Sequence, residues 1–380
     1  MHVGADYHCV AGGPGAEITA RANLEFNLRH GVRHLTVLLH GRPEDGAWDF
    51  DRLRRMRDDC DRYGVILEAI RMDSDYIRMP AGADRDRRID SIIGNIRKAA
   101  AVGVRIITYH WTMIPIRRNR QVAGRGGSVY PAFRLEQDWR RLPPGEAGRV
   151  SSEEYWERIG YFLARVIPAA AEHDVRLACH PYDPPGLPFG YQGVDNWDSP
   201  AVFEAIQRYE AIVDSPYNGF QLCLGTVAEG LQDPKRQILP IVAYLAGRGK
   251  IHQVHMRNIR GGLHDFAEVY PDEGEVDLFA VMRILRDARY PGAILPDHMP
   301  RHADDPGGLQ AFAFGYGYIR ALIQAVTAEA AQAAARAQSP GSRARRIGLA
   351  STFHPPAAGA SPDNAALRFN PLETAAITPP

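Results

Sequence analysis

The chain of 380 residues is 45% hydrophobic and 24% charged, a composition typical of a globular protein rather than a disordered one. Its 45 basic and 45 acidic residues balance to a formal net charge of zero, which argues against binding nucleic acid or an anionic membrane through overall charge. No apolar run reaches transmembrane length, the N-terminus lacks a signal-peptide pattern, and the four cysteines lack CxxC spacing. We therefore expect a cytoplasmic protein without a disulfide framework or a zinc knuckle.

Short β-branched segments alternate with longer helical ones along the chain. The predicted strands are His2 to Ala5, His34 to Leu39, Val65 to Ile70, Arg105 to Tyr109, Val175 to Ala178, Phe220 to Cys223, Ile251 to His255 and Ala293 to Leu295. Helices are predicted near residues 16–30, 48–63, 87–102, 152–173, 199–212, 234–247, 276–288 and 309–326. Gly64 and Gly103 stand where a helix gives way to a strand, which is typical of a left-handed C-cap.

This alternation predicts an α/β fold, a single (β/α)8 TIM barrel over residues 1–326. The alternative is an open doubly wound sheet, but no GxGxxG opens a helix after the first strand. Long loops follow the fourth and fifth strands, at residues 111–150 and from Pro181 to Trp197. The first is rich in Arg and is read either as a solvated charge run or as a contact for an anionic substrate. Residues 327–380, rich in Ala, Pro and Ser, are predicted to be a largely disordered tail whose first part can extend the last helix.

The residues at the C-terminal ends of the predicted strands carry the functional signal, because these ends meet at one mouth of a barrel. Strands five to eight end at or near His180, Cys223, His255 and Asp297. Each alone is more simply explained as a packed, hydrogen-bonded residue. Four metal-ligand types on consecutive strands predict a metal site instead, and the donor set suits Zn, Mn, Fe or Co.

Four neighbouring residues are candidates for chemistry at this mouth. His298 directly follows Asp297 and is read as a general acid or base, or as a partner that orients a ligand. Arg257 and Asn258 supply a cation and an amide suited to a carboxylate and a hydroxyl, although structural hydrogen bonding in the loop explains them equally well. His110, at the end of the fourth strand, is a further candidate for substrate binding, although a structural role in the core or a loop explains it nearly as well.

The segments LACHPYDPP, QLCLGTVAEG, VHMRNIRGG and LPDHMPRH resemble, in order and approximate spacing, the mannonate dehydratases, sugar-acid dehydratases among the xylose-isomerase-like TIM barrels. The resemblance implies dehydration of D-mannonate to 2-keto-3-deoxy-D-gluconate in hexuronate breakdown. It implies a divalent metal, usually Mn²⁺, held by His180, Cys223, His255 and Asp297, with His298 as the catalytic histidine. A small-molecule sugar acid is then the partner, and family members are commonly homo-oligomers.

Two regions depart from the family pattern. The family uses a tyrosine at the start of the last helix, where this chain carries Gln310 in GGLQAFAFGYGYIRAL. Tyr316 and Tyr318 lie about two helical turns further on and are expected to point away from the mouth. In the N-terminal loop, Asp6 and His8 could reach the site and alter the choice of substrate.

Two alternatives to the dehydratase therefore stay open. A sugar isomerase or epimerase on the same barrel would use a similar metal with a neutral sugar, whereas Arg257 and the Arg-rich loop favour an acid. A barrel that binds a sugar acid without turning it over is the second alternative, and Gln310 in place of the tyrosine keeps it open.

Overall fold

The computed structural model describes residues 1–11, 16–115 and 117–338. Its strands are β1 (His2–Ala5), β2 (His34–Leu38), β3 (Ile66–Arg71), β4 (Ile106–His110), β5 (Arg120–Ala123), β6 (Val129–Arg134), β7 (Arg176–His180), β8 (Asn218–Cys223), β9 (Ile251–His255), β10 (Asn258–Gly262), β11 (Asp265–Val269) and β12 (Ala293–Leu295). Its α-helices are α1 (Arg21–Arg29), α2 (Phe50–Arg62), α3 (Ala83–Ala101), α4 (Ser152–Glu172), α5 (Val202–Ile212), α6 (Leu224–Glu229), α7 (Pro234–Gly247), α8 (Leu278–Asp287) and α9 (Leu309–Gln338).

Eight parallel strands close into a barrel in the order β1-β12-β9-β8-β7-β4-β3-β2. The predicted TIM barrel is thereby confirmed, and each predicted strand overlaps one barrel strand. The helices that follow the strands pack their apolar faces outside the barrel. In α3, for example, Ile89, Ile92 and Ile96 recur at helical spacing and are buried. Burial of each such side chain contributes about 1.5–3 kcal/mol of transfer free energy.

The turns from helix to strand follow the local sequence. Gly64 and Gly103 take φ angles of 66° and 77°, in the left-handed region that an L side chain rarely adopts. At the other end of a helix, the Asp49 carboxylate accepts a 3.0 Å hydrogen bond from the Arg52 amide and caps α2. These caps fix where each helix ends and the next barrel strand begins.

The barrel carries a second sheet, of antiparallel strands in the order β10-β11-β6-β5. Half of this sheet comes from the Arg-rich segment after β4, which the sequence analysis treats as a loop, and half from the segment after β9. Phe133 on β6 pairs with Phe266 on β11, with ring centroids 5.7 Å apart. This pairing turns the two segments into a cover at the C-terminal end of the barrel.

The chain divides into two units, Met1–Glu329 and Ala330–Pro380. The last helix, α9, continues to Gln338, past the predicted boundary at residue 326. Residues 339–380 lie outside the described part, so the prediction of a disordered tail stays a prediction. Among the described residues, none of the helices has the length and apolarity needed to cross a bilayer.

Candidate metal centre and substrate cavity

The four predicted ligands meet at the C-terminal mouth of the barrel. His180, Cys223 and His255 end β7, β8 and β9, and Asp297 follows β12. One ligand atom of each lies within 4.8 Å of those of the other three. The neighbouring order of these strands in the barrel produces this convergence, as the strand-end argument predicts.

Hydrogen bonds fix both histidines with one nitrogen free for a metal ion. His180 Nδ1 lies 2.7 Å from the Pro181 carbonyl, to which it donates, so Nε2 keeps its lone pair. His255 Nε2 lies 3.2 Å from Asp6 Oδ2, and donation to this carboxylate leaves Nδ1 as the free nitrogen. His255 Nδ1 is buried and has no hydrogen-bond partner among the described residues. A carboxylate that orients a histidine in this way is the usual second partner of a metal-bound imidazole.

The remaining two donors are a sulfur and a carboxylate. The Cys223 thiol lies 3.4 Å from Asp297 Oδ2 and accepts a 3.4 Å hydrogen bond from the Thr226 amide. Burial opposes ionisation of Asp297, but the charges of His298 and His255 hold its pKa well below the usual range. An ionised carboxylate, two imidazoles with free nitrogens and a thiol together fit a divalent cation.

His298 lies beside the four metal-ligand residues, which we call the donor group. The opposite face of its ring points toward the second sheet. Its Nδ1 lies 2.8 Å from Glu268 Oε1 on β11 and 2.8 Å from Arg257 Nη1. A protonated Nδ1 donates to the carboxylate and a bare Nδ1 accepts from the guanidinium, and in both cases these contacts leave Nε2 without a partner among them. Burial lowers the pKa of His298, but the carboxylates of Asp297 and Glu268 outweigh burial and raise it. The imidazole is therefore oriented for proton transfer through Nε2.

Arg257 lies behind the mouth rather than in it. Its guanidinium is fully buried, 3.0 Å from Asp183, 2.9 Å from Glu229 and 3.0 Å from Glu268, and it also contacts Thr226. Arg118, from the Arg-rich segment, contacts the same three carboxylates at 2.7 Å to 3.1 Å. The two guanidiniums and three carboxylates neutralise most of one another's charge, and through Glu268 they hold His298 in position.

Asn258 is likewise engaged inside the protein. Its amide nitrogen donates to the carbonyls of Pro271 and Val276, and its carbonyl oxygen accepts from the amides of Ile259 and Val276. Neither Arg257 nor Asn258 is among the residues that line the cavity, so their direct binding of substrate stays a prediction.

His110, by contrast, lines the cavity. The amide of Thr112 donates to His110 Nδ1 at 3.1 Å, so the neutral ring carries its proton on Nε2. Burial, with the charges of Arg71 and His180, holds the pKa of His110 well below its usual value. His110 can therefore present an N–H donor to a substrate oxygen.

The cavity holds about 50 Å³ and is lined by Tyr7, His8, Arg71, His110, Thr112, His180, Asp183, His255, Asp297 and His298. It shares His8 and His298 with a larger groove of about 640 Å³ that is also lined by residues of the second sheet and of the segment after β12. Three of the four metal-ligand residues, His180, His255 and Asp297, therefore line a small cavity next to a larger groove.

Arg71, at the end of β3, is a lining residue that the sequence analysis missed. Its side chain is 9% exposed, and Nη1 is buried without a hydrogen-bond partner among the described residues. Among the described residues, no carboxylate forms an ion pair with Arg71 within 4.0 Å. A buried cation without a counter-charge is costly unless a ligand supplies one. The same strand-end rule applied to β3 would have found this residue.

The N-terminal loop supplies two further lining residues. His8 Nδ1 lies 2.7 Å from Asp6 and 3.5 Å from Asp297, which confirms that this loop reaches the site. Tyr7, also missed, lines the cavity beside it, and its ring lies 4.2 Å from that of His8. Burial raises the pKa of Tyr7 to about 12, so its hydroxyl keeps its proton near neutral pH.

Gln310 and the tyrosines after it lie elsewhere. Gln310 is exposed at the start of α9, with Nε2 donating to the Asp304 carbonyl. Tyr316 is buried, with its hydroxyl 3.3 Å from the amide oxygen of Asn27. Neither residue, nor Tyr318, lines the cavity described above.

Comparison with solved structures defines the class of this barrel. The structure of a mannonate dehydratase from Streptococcus suis superposes with a TM-score of 0.72, covering 87% of this chain and 96% of that one at 23% identity. A D-tagatose 3-epimerase-like protein superposes with a TM-score of 0.55, covering 87% of this chain and 100% of that one at 13% identity. The chain shares the TIM-barrel fold of these two proteins, and here a group of metal-ligand residues lies at the mouth.

Sequence comparison finds mannonate dehydratases. The D-mannonate dehydratase (UxuA) family model matches residues 145–333. The mannonate dehydratase of Thermotoga neapolitana is 29% identical, over 78% of this chain and 91% of that protein. That of Streptococcus pneumoniae is 26% identical, over 78% of this chain and 87% of that protein. The chain is thus similar to mannonate dehydratases over most of its length.

Proposed function

We propose that the protein is a metal-dependent sugar-acid dehydratase that converts D-mannonate to 2-keto-3-deoxy-D-gluconate and water. The observation that carries the proposal is that Arg71 lines the same cavity as residues of the donor group. The donor group suits a divalent cation, and the unpaired guanidinium suits the carboxylate of an acid. A neutral sugar would leave that buried charge without a partner.

The metal would be held by His180 Nε2, Cys223 Sγ, His255 Nδ1 and Asp297. When bound there, a divalent cation such as Mn²⁺ supplies Lewis acidity that makes the C2 proton of the substrate more acidic, and it offsets the charge of Asp297. We favour Mn²⁺ because the family resemblance implies it. The proposal includes a catabolic role in the cytoplasm, in the breakdown of hexuronates.

Two groups of the chain are available for the proton transfers. Dehydration removes the proton from C2 and delivers a proton to the C3 hydroxyl, which leaves as water, and the resulting enol becomes the 2-keto acid. Tyr7 keeps its phenolic proton near neutral pH and suits the role of the acid. His298, with Nδ1 bound to Glu268 and Nε2 free, suits acceptance of the C2 proton. Tyr7 thus replaces the family tyrosine that is absent at Gln310.

The remaining lining residues position the substrate. Arg71 would pair with the carboxylate of the sugar acid, and His110 would donate through Nε2 to one of its hydroxyl groups. Arg257 and Asn258 would act indirectly, Arg257 by holding Glu268 and Asn258 by holding the segment around Val276. Glu268 in turn keeps the His298 ring aimed at the cavity.

The test is turnover of D-mannonate by the purified full-length protein loaded with Mn²⁺, with the 2-keto-3-deoxy acid measured as product. We expect product to form, to be lost on chelation and to return when Mn²⁺ is added back. D-Fructose serves as the neutral comparison and should be neither isomerised nor epimerised. A folded, Mn²⁺-loaded protein that binds D-mannonate without turnover would make it a sugar-acid binder, and turnover of only the neutral sugar would make it an isomerase or epimerase.

A further inference from the structure

A second group of metal-ligand side chains lies at the end of the barrel opposite to the mouth. His2 opens β1 and His34 opens β2, while Glu68 lies in the first half of β3, three residues before Arg71. One ligand atom of each of the three lies within 4.8 Å of those of the other two. The dehydration proposed above uses none of them, so this group needs a separate explanation.

Both imidazoles converge on one carboxylate oxygen. His2 Nε2 lies 2.9 Å and His34 Nδ1 lies 2.7 Å from Glu68 Oε2, and the two ring centroids are only 3.7 Å apart. The contact of His2 has hydrogen-bond geometry, but His34 Nδ1 has no hydrogen-bond partner among the described residues despite its closeness. At this distance a nitrogen lone pair and a carboxylate oxygen repel each other unless a proton on the nitrogen, or a metal ion bound to both atoms, offsets their charge.

The three side chains offer ligand atoms for a cation and are partly exposed to solvent. Glu68 supplies a carboxylate oxygen, and His2 and His34 each supply an imidazole nitrogen. The side chains of His2, His34 and Glu68 are 30%, 25% and 14% exposed, which leaves a path from solvent and room for water ligands. Two imidazoles and a carboxylate are typical ligands of Zn²⁺ and of other first-row divalent ions.

We propose that His2, His34 and Glu68 bind a second divalent transition-metal ion, at the N-terminal end of the barrel. The three ligands come from three adjacent strands, since β1 pairs with β2 and β2 pairs with β3. The bound ion joins the starts of these strands and stabilises the closed barrel by the free energy of its binding. This inference does not depend on the reaction at the mouth.

Cobalt distinguishes the two sites, because a thiolate ligand adds a sulfur-to-cobalt charge-transfer band that a site with only nitrogen and oxygen ligands lacks. We expect the full-length protein to bind about two Co²⁺ per chain at neutral pH. Cys223→Ser should lose the charge-transfer band and one Co²⁺. Glu68→Gln should lose the other Co²⁺ and keep the band. Metal content is read by elemental analysis after removal of unbound ion.

The matched control is His40→Gln. His40 Nδ1 contacts Asp73 at 2.6 Å, but it is a single imidazole with one carboxylate, so the variant should bind as much Co²⁺ as the unsubstituted protein. His2→Gln provides a second variant at the site in case Glu68→Gln does not fold. The proposal is overturned if Glu68→Gln and His2→Gln bind as much Co²⁺ as the unsubstituted protein, or if Cys223→Ser binds none. In either case the group is an ion pair that shares protons.

Discussion

Arg71 is the residue on which the proposed preference for a sugar acid depends most. We expect Arg71→Gln to raise KM for D-mannonate by about 10- to 100-fold, since a hydrogen bond to a charged group contributes about 1.5–3 kcal/mol. Manganese content should not change, because Arg71 is not among the donors. Steady-state kinetics and elemental analysis of the same sample check both points.

Arg52→Gln is the control for this substitution, because Arg52 is exposed and pairs with Glu17 at 3.1 Å. It should leave KM unchanged. An Arg71→Gln variant with the KM of the unsubstituted protein would remove Arg71 from substrate binding and would reopen the case for a neutral sugar.

Tyr7 is the second residue with a sharp expectation. Tyr7→Phe removes the hydroxyl that we assign to protonation of the leaving group, so kcat should fall by about 10² or more while Mn²⁺ binding is kept. Tyr316→Phe is the matched control, since it removes a buried hydroxyl that contacts Asn27 outside the cavity. Equal kcat values for the two variants would place the acid elsewhere and make His8 the next candidate.

Among single residues, the sequence predicts which metal-ligand residues come together better than it predicts the ion pairs around them. His180, Cys223, His255 and Asp297 were predictable because strand ends of a barrel must converge. The burial of Arg257 was not, because its partners come from three different elements: Asp183 follows β7, Glu229 ends α6 and Glu268 lies on β11. Spacing along the chain carries no information about such a network.

At the scale of elements, β9 carries a histidine whose protonation opposes folding. Burial and the charges of Arg176 and Lys250 lower the pKa of His252 to about 3, and both its nitrogens lack hydrogen-bond partners among the described residues. Between its unfolded pKa of 6.5 and its folded pKa of about 3, the unfolded chain binds a proton that the folded chain does not. Stability therefore falls as the pH drops below the unfolded pKa.

The free energy of unfolding should decrease by about 2 kcal/mol from this group between about pH 7.5 and about pH 5. Urea unfolding of His252→Leu at both pH values should show a smaller decrease by about that amount. His302→Leu replaces a histidine with an exposed ring contact and should keep the full decrease. The same pH dependence in His252→Leu and in the unsubstituted protein would contradict this origin.

The elements themselves divide into those with a sequence signal and those without one. Apolar periodicity and glycine caps located the barrel strands and the long helices, because each buries one face in a continuous core. The β5–β6 hairpin gave no such signal, since Arg120 and Gln121 are exposed and only part of β6 is buried. Its pairing with β11 depends on a segment more than a hundred residues away in the chain.

For the whole molecule, the barrel places the two groups of proposed metal ligands at opposite ends. The mouth group follows directly from the topology of β7, β8, β9 and β12. The group at the N-terminal end was not predicted, because its residues lie in the first halves of β1, β2 and β3 and not at the strand ends that meet at the mouth. Arg71 and Tyr7 were not predicted either, because Arg71 ends β3 and Tyr7 follows β1, whereas the predicted ligands come from later strands.

The most direct test of the account is the Mn²⁺ content and D-mannonate turnover of Asp297→Asn, measured on the same samples as the unsubstituted protein. The substitution removes a charged ligand, so we expect both quantities to fall together, by at least tenfold in turnover, while thermal unfolding in the presence of chelator stays cooperative. Mn²⁺ bound at the mouth and turnover that both match the unsubstituted protein would contradict the assignment of the metal site.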